Sequence, residues 1–244
     1  MPEITDQIST SVDALMEEFR TITHNLANVS TVGYKRRCNA FSVLLRNQPV
    51  RPEDYSPGSI AVNSAIDFSQ GGFQHTGRSL DCAISGNGFF VIETPQGPLY
   101  TRNGTFLTDE TGQIVDSLGR AVAGEAGAIT IPTSIGPSQI NISVDGTVSA
   151  GGVQIGKLRV VDFGSDRDKL VPVGNSCLQM PDEEVTAVAA TDFVVKQGYL
   201  ESSNVKLVEE LVDMIMVTRL YQANMKAVEA SGQASGSLLS AAMG

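Results

Sequence analysis

Apolar side chains recur at helical spacing near both ends of the chain and lose that spacing between them. The first stripe runs Ile4, Ile8, Val12, Leu15, Phe19, Ile22 and Leu26. The second runs Leu207, Leu211, Met214, Thr218, Tyr221, Met225 and Val228. Alternating steps of three and four residues are the seam of a coiled coil, so the pattern predicts two long terminal helices that pair. In the second helix Val208, Val212 and Ile215 widen the apolar arc beyond what one partner covers, which leaves a face for a second molecule.

The middle of the chain reads differently. Residues 88–93 and 99–107 flank the turn Thr94-Pro95-Gln96-Gly97-Pro98, and residues 105–108 and 113–116 flank Asp109-Glu110-Thr111-Gly112. Residues 139–144 and 147–150 flank Asp145-Gly146, a strong two-residue hairpin signal. Residues 156–163 alternate Lys157, Arg159 and Asp162 with apolar neighbours, which predicts one half-buried strand. The expectation is an α+β chain with a multi-stranded, barrel- or sandwich-like β domain inserted between helices that pair as a coiled coil. Its divisions are a first helix over 1–34, an extended arm over 35–79, the β domain over 80–195 and a last helix over 196–244. The arm is punctuated by Pro49, Pro52, Pro57, Gly58 and Gly71-Gly72, with an extended piece at 59–62. Gly33 supplies a positive φ at the exit of the first helix, so a Gly33→Val substitution is expected to harm assembly rather than the melting of the β domain. Ser202, Ser203 and Asn204 are the candidate N-caps of the second helix, with Glu209-Glu210 favoured in its opening turns.

Composition narrows the chemistry. The chain has 244 residues, 41% of them apolar, and a net charge of −10. That charge argues against a nucleic-acid partner, and the one basic cluster, Lys35-Arg36-Arg37, reads as a solvated surface. No segment has the length of a membrane-spanning helix, and the acidic first thirty residues lack the basic and apolar regions of a cleavable signal. Cys38, Cys82 and Cys177 are odd in number and far apart, which suggests inert thiols instead of a disulfide framework or zinc site. His24 and His75 read as surface or structural histidines. Gly86-Asn87-Gly88 opens like a dinucleotide loop but leads into Phe89-Phe90-Val91-Ile92, a strand, where that motif needs a helix. Asp81, Asp109, Glu110 and Asp145 are the candidate acids, yet Asp109 and Asp145 sit in turn sequences where Asp bonds its own backbone. Neither a catalytic residue, a cofactor, a metal nor a small-molecule substrate is expected. A secreted β-domain hydrolase, or an adhesin held by coiled-coil termini, is the rival reading. The hydrolase would need converging acids, and the adhesin longer heptads and a signal peptide.

Four separated motifs resemble the flagellar rod and hook family of axial proteins. The first is Asn25-Leu26-Ala27-Asn28 followed by Thr31-Val32-Gly33-Tyr34-Lys35. The second is Leu80-Asp81-Cys82-Ala83-Ile84-Ser85-Gly86-Asn87-Gly88-Phe89-Phe90, and the third Tyr100-Thr101-Arg102-Asn103-Gly104-Thr105-Phe106. The fourth is Leu200-Glu201-Ser202-Ser203-Asn204-Val205, continued by Glu210, Met214, Ile215 and Tyr221. In two respects the chain departs from the family: Met1–Thr10 is acidic without the usual Gly/Met start, and cysteines are unusual there. The resemblance implies a structural subunit of the basal-body rod in the periplasm, exported by the flagellar apparatus without a cleaved signal and polymerising through its terminal helices. Its implied partners are other rod subunits, proximal and distal, and the export apparatus, with no direct membrane insertion. The residues it marks for assembly are Asn25, Leu26, Ala27, Asn28, Thr31, Gly33, Tyr34, Leu80, Asp81, Gly86, Gly88, Leu200, Glu201, Ser203, Asn204, Val205, Glu210, Met214, Ile215 and Tyr221.

Overall fold

A computed structural model describes residues 2–39 and 64–243; the extended piece expected at 59–62 lies outside them. The chain is α+β. Helix α1 spans Pro2–Ala27, helix α2 spans Leu207–Met243, and the strands between them are short. The chain divides into two compact units: a helical unit of Met1–Asn28, Arg36–Asp67 and Val205–Gly244, and a β unit of Val29–Lys35 and Phe68–Asn204.

In the helical unit, Asn25 meets Glu210 near one end of the helix pair and Asn224 meets Ser11 towards the other. Later positions of α1 therefore face earlier positions of α2, and the helices run antiparallel. Between these contacts Leu15, Ile22 and Val217 are buried, with Leu26, Met214 and Tyr221 packed around them. Part of the expected seam moves by one residue. Glu18 is buried in place of Phe19, Asn25 is buried beside a half-buried Leu26, and Glu210 and Val217 are buried in place of Leu211 and Thr218. Phe19 is 44% exposed. The cause is a third element. The strand Arg37–Asn39, paired antiparallel with Ser64–Ile66, packs against α1 and offers polar partners to that face.

Helix α1 stops at Ala27, where the Asn28 amide donates to the His24 carbonyl at 2.8 Å and satisfies one of the carbonyls left open by a helix end. Helix α2 starts later than the expected caps Ser202, Ser203 and Asn204. Its first backbone bond runs from Glu210 N to Lys206 O. Asn204 is instead committed to Ser69, donating to its carbonyl at 3.2 Å and its hydroxyl at 3.1 Å.

In the β unit the three hairpins read from turn chemistry are present. Phe89–Ile92 pairs with Leu99–Thr101, Leu107–Thr108 with Ile114–Val115, and Ile140–Ile142 with Thr147–Ala150. Phe89–Ile92 is buried at every position, which suits its unbroken apolar run. The strand expected over 156–163 is broken. Val153–Lys157 belongs to a three-stranded sheet and Val160–Asp162 to a six-stranded one, with Leu158 buried between them. The largest sheet runs in space through Val171–Gly174, Cys177–Gln179, Leu99–Thr101, Phe89–Ile92, Val160–Asp162 and Val188–Ala189. Among the described residues no sheet closes into a barrel; the strands form one six-stranded sheet, one three-stranded sheet and several pairs. They share one core, in which Ile84, Phe90, Ile92, Phe106, Ile114 and Leu158 are almost fully buried and the Phe90 and Phe106 rings meet edge to face at 5.0 Å.

Candidate functional site

The least expected feature of the molecule is that Lys35 and Arg36, read as solvated, are largely buried and each serves a buried carboxylate. Within the β unit, Glu201 is fully buried. Its Oε1 accepts from Lys35 Nζ at 2.7 Å and from Gly71 N at 3.0 Å, and its Oε2 lies 3.4 Å from Arg102 Nη1. Lys35 Nζ also donates to the Ser69 carbonyl at 2.7 Å. Arg102 Nη2 donates to the Gly86 carbonyl at 2.8 Å, and the guanidinium lies over the Phe89 ring at 5.2 Å. Burial depresses the Arg102 pKa even with Glu201 beside it. One carboxylate thus ties together the Val29–Lys35 segment, residues 69–71 and the Leu99–Thr101 strand end. A buried charge held this way is costly to orphan.

The Val29–Lys35 segment needs a glycine at its centre. Gly33 has φ +66°, its N–H donates to the Glu201 carbonyl at 2.8 Å, and a Cβ there would lie 2.3 Å from Asn103 N. The positive φ was foreseen, but the contacts place Gly33 in the β unit. The expected consequence of Gly33→Val therefore changes: melting of the β unit is the property at risk.

Within the helical unit, Asn25 acts as a lateral neighbour to the strand. Its Nδ2 donates to the Arg37 carbonyl at 2.9 Å and its Oδ1 accepts from Arg37 N at 2.9 Å, so both backbone groups of that residue are satisfied. Asn25 Nδ2 also reaches Glu210 Oε2 at 3.2 Å, while Glu210 Oε1 accepts a hydrogen bond from Arg36 Nε. Burial opposes the Arg36 charge, but Glu210 and Asp213 outweigh it and its pKa is raised. Beside this group Glu18 accepts from Asn39 Nδ2 at 3.0 Å, and Thr21 donates to Asn39 Oδ1 at 3.1 Å. Burial pushes the Glu18 carboxyl up, and the Asn39 bond only partly counters it.

The motif residues divide accordingly. Asn25 joins Glu210, and Gly33 joins Glu201. Leu26, Met214 and Tyr221 line the helix seam, Ala27 ends α1 with its side chain exposed, and Asn28 caps it. The Thr31 carbonyl accepts from Tyr34 N at 3.3 Å, and Tyr34 is buried. Leu80 packs on the β core, and Asp81 is buried with its Oδ2 accepting from Thr76 Oγ1 at 2.7 Å. Gly86 (φ +96°) admits the Asp192 carbonyl where a Cβ would stand 2.6 Å away, and Gly88 lies against Val160. Leu200 and Val205 are buried, Ser203 is half-buried, and Ile215 is 53% exposed. Lys35, Arg36, Arg102, Glu18 and Asn39 were not singled out from the sequence as functional. Three consecutive basic residues in a chain of net charge −10, and glutamates set directly against Leu200 and Leu211, were the available signals.

The remaining candidates are occupied in local structure. Asp109 Oδ1 accepts from Thr111 N, Thr111 Oγ1 and Gln113 N, and Asp145 accepts from Thr147, which holds both carboxyls below their ordinary range. A shallow cleft beside Asn87, Ser165 and Thr191 contains Asp162, which Arg167 already holds at 2.6 and 2.7 Å. Burial pushes the Cys82 thiol up to about 12, and the Cys38 and Cys177 thiols are also raised. Among the described residues no group of three His, Cys, Asp or Glu is placed to hold a metal, and no helix is long and apolar enough to cross a membrane.

The chain thus combines paired terminal helices with a β-rich insert, and within each unit a buried carboxylate ties distant segments together. Comparison with known proteins identifies the family. Residues 83–150 match the D1 domain of the flagellar hook protein FlgE/F/G, and residues 196–241 match the C-terminal region of the flagellar basal body rod FlgEFG proteins. The chain is 34% identical to the flagellar basal-body rod protein FlgG of Buchnera aphidicola subsp. Acyrthosiphon pisum, over 92% of this chain and 94% of that one. It is 30% identical to the rod protein FlgF of Caulobacter vibrioides over 91% of each, and 34% identical to FlgF of Salmonella typhimurium over 84% of each. The chain belongs to the flagellar basal-body rod protein family, and its function is that of a structural subunit of the rod.

Proposed function

We propose that this subunit polymerises through its terminal helices, which pair as a coiled coil and form the wall of a periplasmic drive shaft. The observation that carries the reading is the outer face of α2. Val208, Leu211, Val212, Ile215, Met216 and Leu220 are all exposed although the seam with α1 is already filled. Such a row is covered when neighbouring subunits pack helix against helix, and heterologous contacts that do not close build filaments. The motif residues around Asn25, Gly33, Glu201 and Glu210 hold that geometry and carry no reaction. Transmission of torque requires no catalytic residue. Other rod subunits are its partners, and the flagellar type III apparatus exports it.

Within the rod we assign the proximal position. Thr76-Gly77-Arg78-Ser79-Leu80-Asp81 and Gly124-Glu125-Ala126-Gly127-Ala128-Ile129-Thr130-Ile131-Pro132 resemble the proximal rod protein more than the distal one, and the stretch between Tyr34 and Leu80 is short for the distal type. Relatives named FlgF and FlgG align at similar identity over similar spans, so identity alone does not separate the two positions. Two experiments test the proposal. Leu211→Glu with Ile215→Glu is expected to abolish rod assembly and swimming while the β unit within the purified full chain melts as in the parent; normal swimming would refute helix-mediated assembly. In its own organism the chain is expected to restore swimming to a proximal-rod deletion and not to a distal-rod deletion, and the reverse would assign it the distal place.

A further inference from the structure

The hairpin formed by Val171–Gly174 and Cys177–Gln179 turns at Asn175-Ser176, with φ values of 50° and 55°. These are the only non-glycine residues with positive φ among those described. Two successive left-handed residues suit a tight hairpin, and Asn-Gly is the pair that adopts them with least strain. Asn tolerates the state; Ser does not share that tolerance. The chain therefore carries a poorer turn residue at one position, and the local hairpin gains nothing from it.

The gain lies elsewhere in the β unit. Ser176 Oγ donates to the Val32 carbonyl at 3.0 Å, and the Ser176 carbonyl accepts from Thr101 Oγ1 at 2.8 Å. Val32 lies within the Val29–Lys35 segment, among whose other attachments are the Gly33 N–H on the Glu201 carbonyl and Lys35 on Ser69 and Glu201. A glycine at 176 would make the better turn and could not hold Val32. A residue kept in a strained state that the surrounding structure over-determines points to a role for the strain.

We propose that Ser176 is a latch, a positioning residue that holds the Val29–Lys35 segment on the β unit through Val32, at the expense of the turn that carries it. Its hydroxyl secures the segment; its backbone strain is the cost of presenting that hydroxyl. The inference does not depend on how the subunit assembles.

The test compares Ser176→Gly and Ser176→Ala with the parent in the full purified chain, using amide hydrogen exchange over residues 29–35 and the melting of the β unit. Both variants are expected to speed exchange of the segment by about tenfold, the worth of one hydrogen bond. Their melting is expected to diverge: the Gly variant melts at or above the parent because turn strain is relieved, and the Ala variant melts below it. This dissociation distinguishes a latch from a merely structural turn residue. Unchanged exchange over 29–35 in the Gly variant would overturn the proposal. So would a Gly variant that melts lower and exchanges faster throughout, since the hydroxyl would then belong to the core of the unit.

Discussion

Replacing Gly33 with valine incurs a backbone penalty and a steric one, and the two add. The backbone state at φ +66° disfavours a β-branched L residue by about 1–2 kcal/mol. The new Cβ would also stand 2.3 Å from Asn103 N and 2.5 Å from the Arg102 carbonyl carbon, which are backbone atoms that cannot rotate away. The segment must therefore lift, and lifting breaks the 2.8 Å bond from Gly33 N–H to the Glu201 carbonyl, worth about 1 kcal/mol. The sum is about 2–3 kcal/mol before any strain on the Lys35–Glu201 pair. For a unit of this size the melting temperature falls by roughly 4–12 °C. Calorimetry of the full chain, followed in parallel by the near-UV aromatic signal, reads the change. Gly33→Ala separates the penalties only partly, because any Cβ meets the same wall. A valine variant whose β unit melts with the parent would refute the reasoning, since it would mean that the segment does not belong to that unit's cooperative structure.

Three further outcomes follow from the buried charges and thiols. Glu201→Ala leaves Lys35 and Arg102 buried without their carboxylate and is expected to cost about 3–5 kcal/mol, measured by denaturant unfolding; a cost under about 1 kcal/mol would show that water replaces the carboxylate freely. Because burial raises the Glu18 pKa, the folded chain keeps this proton at pH values where the unfolded chain has lost it, so the stability linked to this group falls as pH rises through that window. Glu18→Gln, which can still accept from Asn39, is expected to melt higher than the parent at about pH 7, with the gap closing towards about pH 4; a constant gap would refute the assignment. Cys82, fully buried with its thiol pushed up to about 12, is expected to resist thiol reagents at about pH 8 until the β unit unfolds, as read by mass spectrometry of labelled peptides.

Local chemistry was legible in the sequence, and distant pairing was not. Asp145-Gly146 turns its hairpin and Asp109 folds its carboxyl onto the following amides because both signals are confined to a few residues. The terminal helices announced themselves by period, but the seam drifted by one residue, since apolar spacing cannot show that Asn25 and Glu18 have partners waiting on the strand Arg37–Asn39. The break in residues 156–163 was hidden by an alternation that continues smoothly across two sheets. Lys35 and Arg36 were misread for the same reason on a larger scale. Their carboxylates lie 166 and 174 residues away, so nothing near them marks the cluster as interior.

That separation gives the helical unit a schedule as well as a shape. Asn25 precedes Glu210 by 185 residues. A ribosome adding roughly 5–20 residues per second makes the two about 10–40 s apart. Through that interval Asn25 and Arg36 lack the carboxylate they share, while the segments of the β unit are completed. Glu210 is thus the last-made member of this buried group, and the helical unit cannot complete its ion pair until the segments of the β unit have been synthesised.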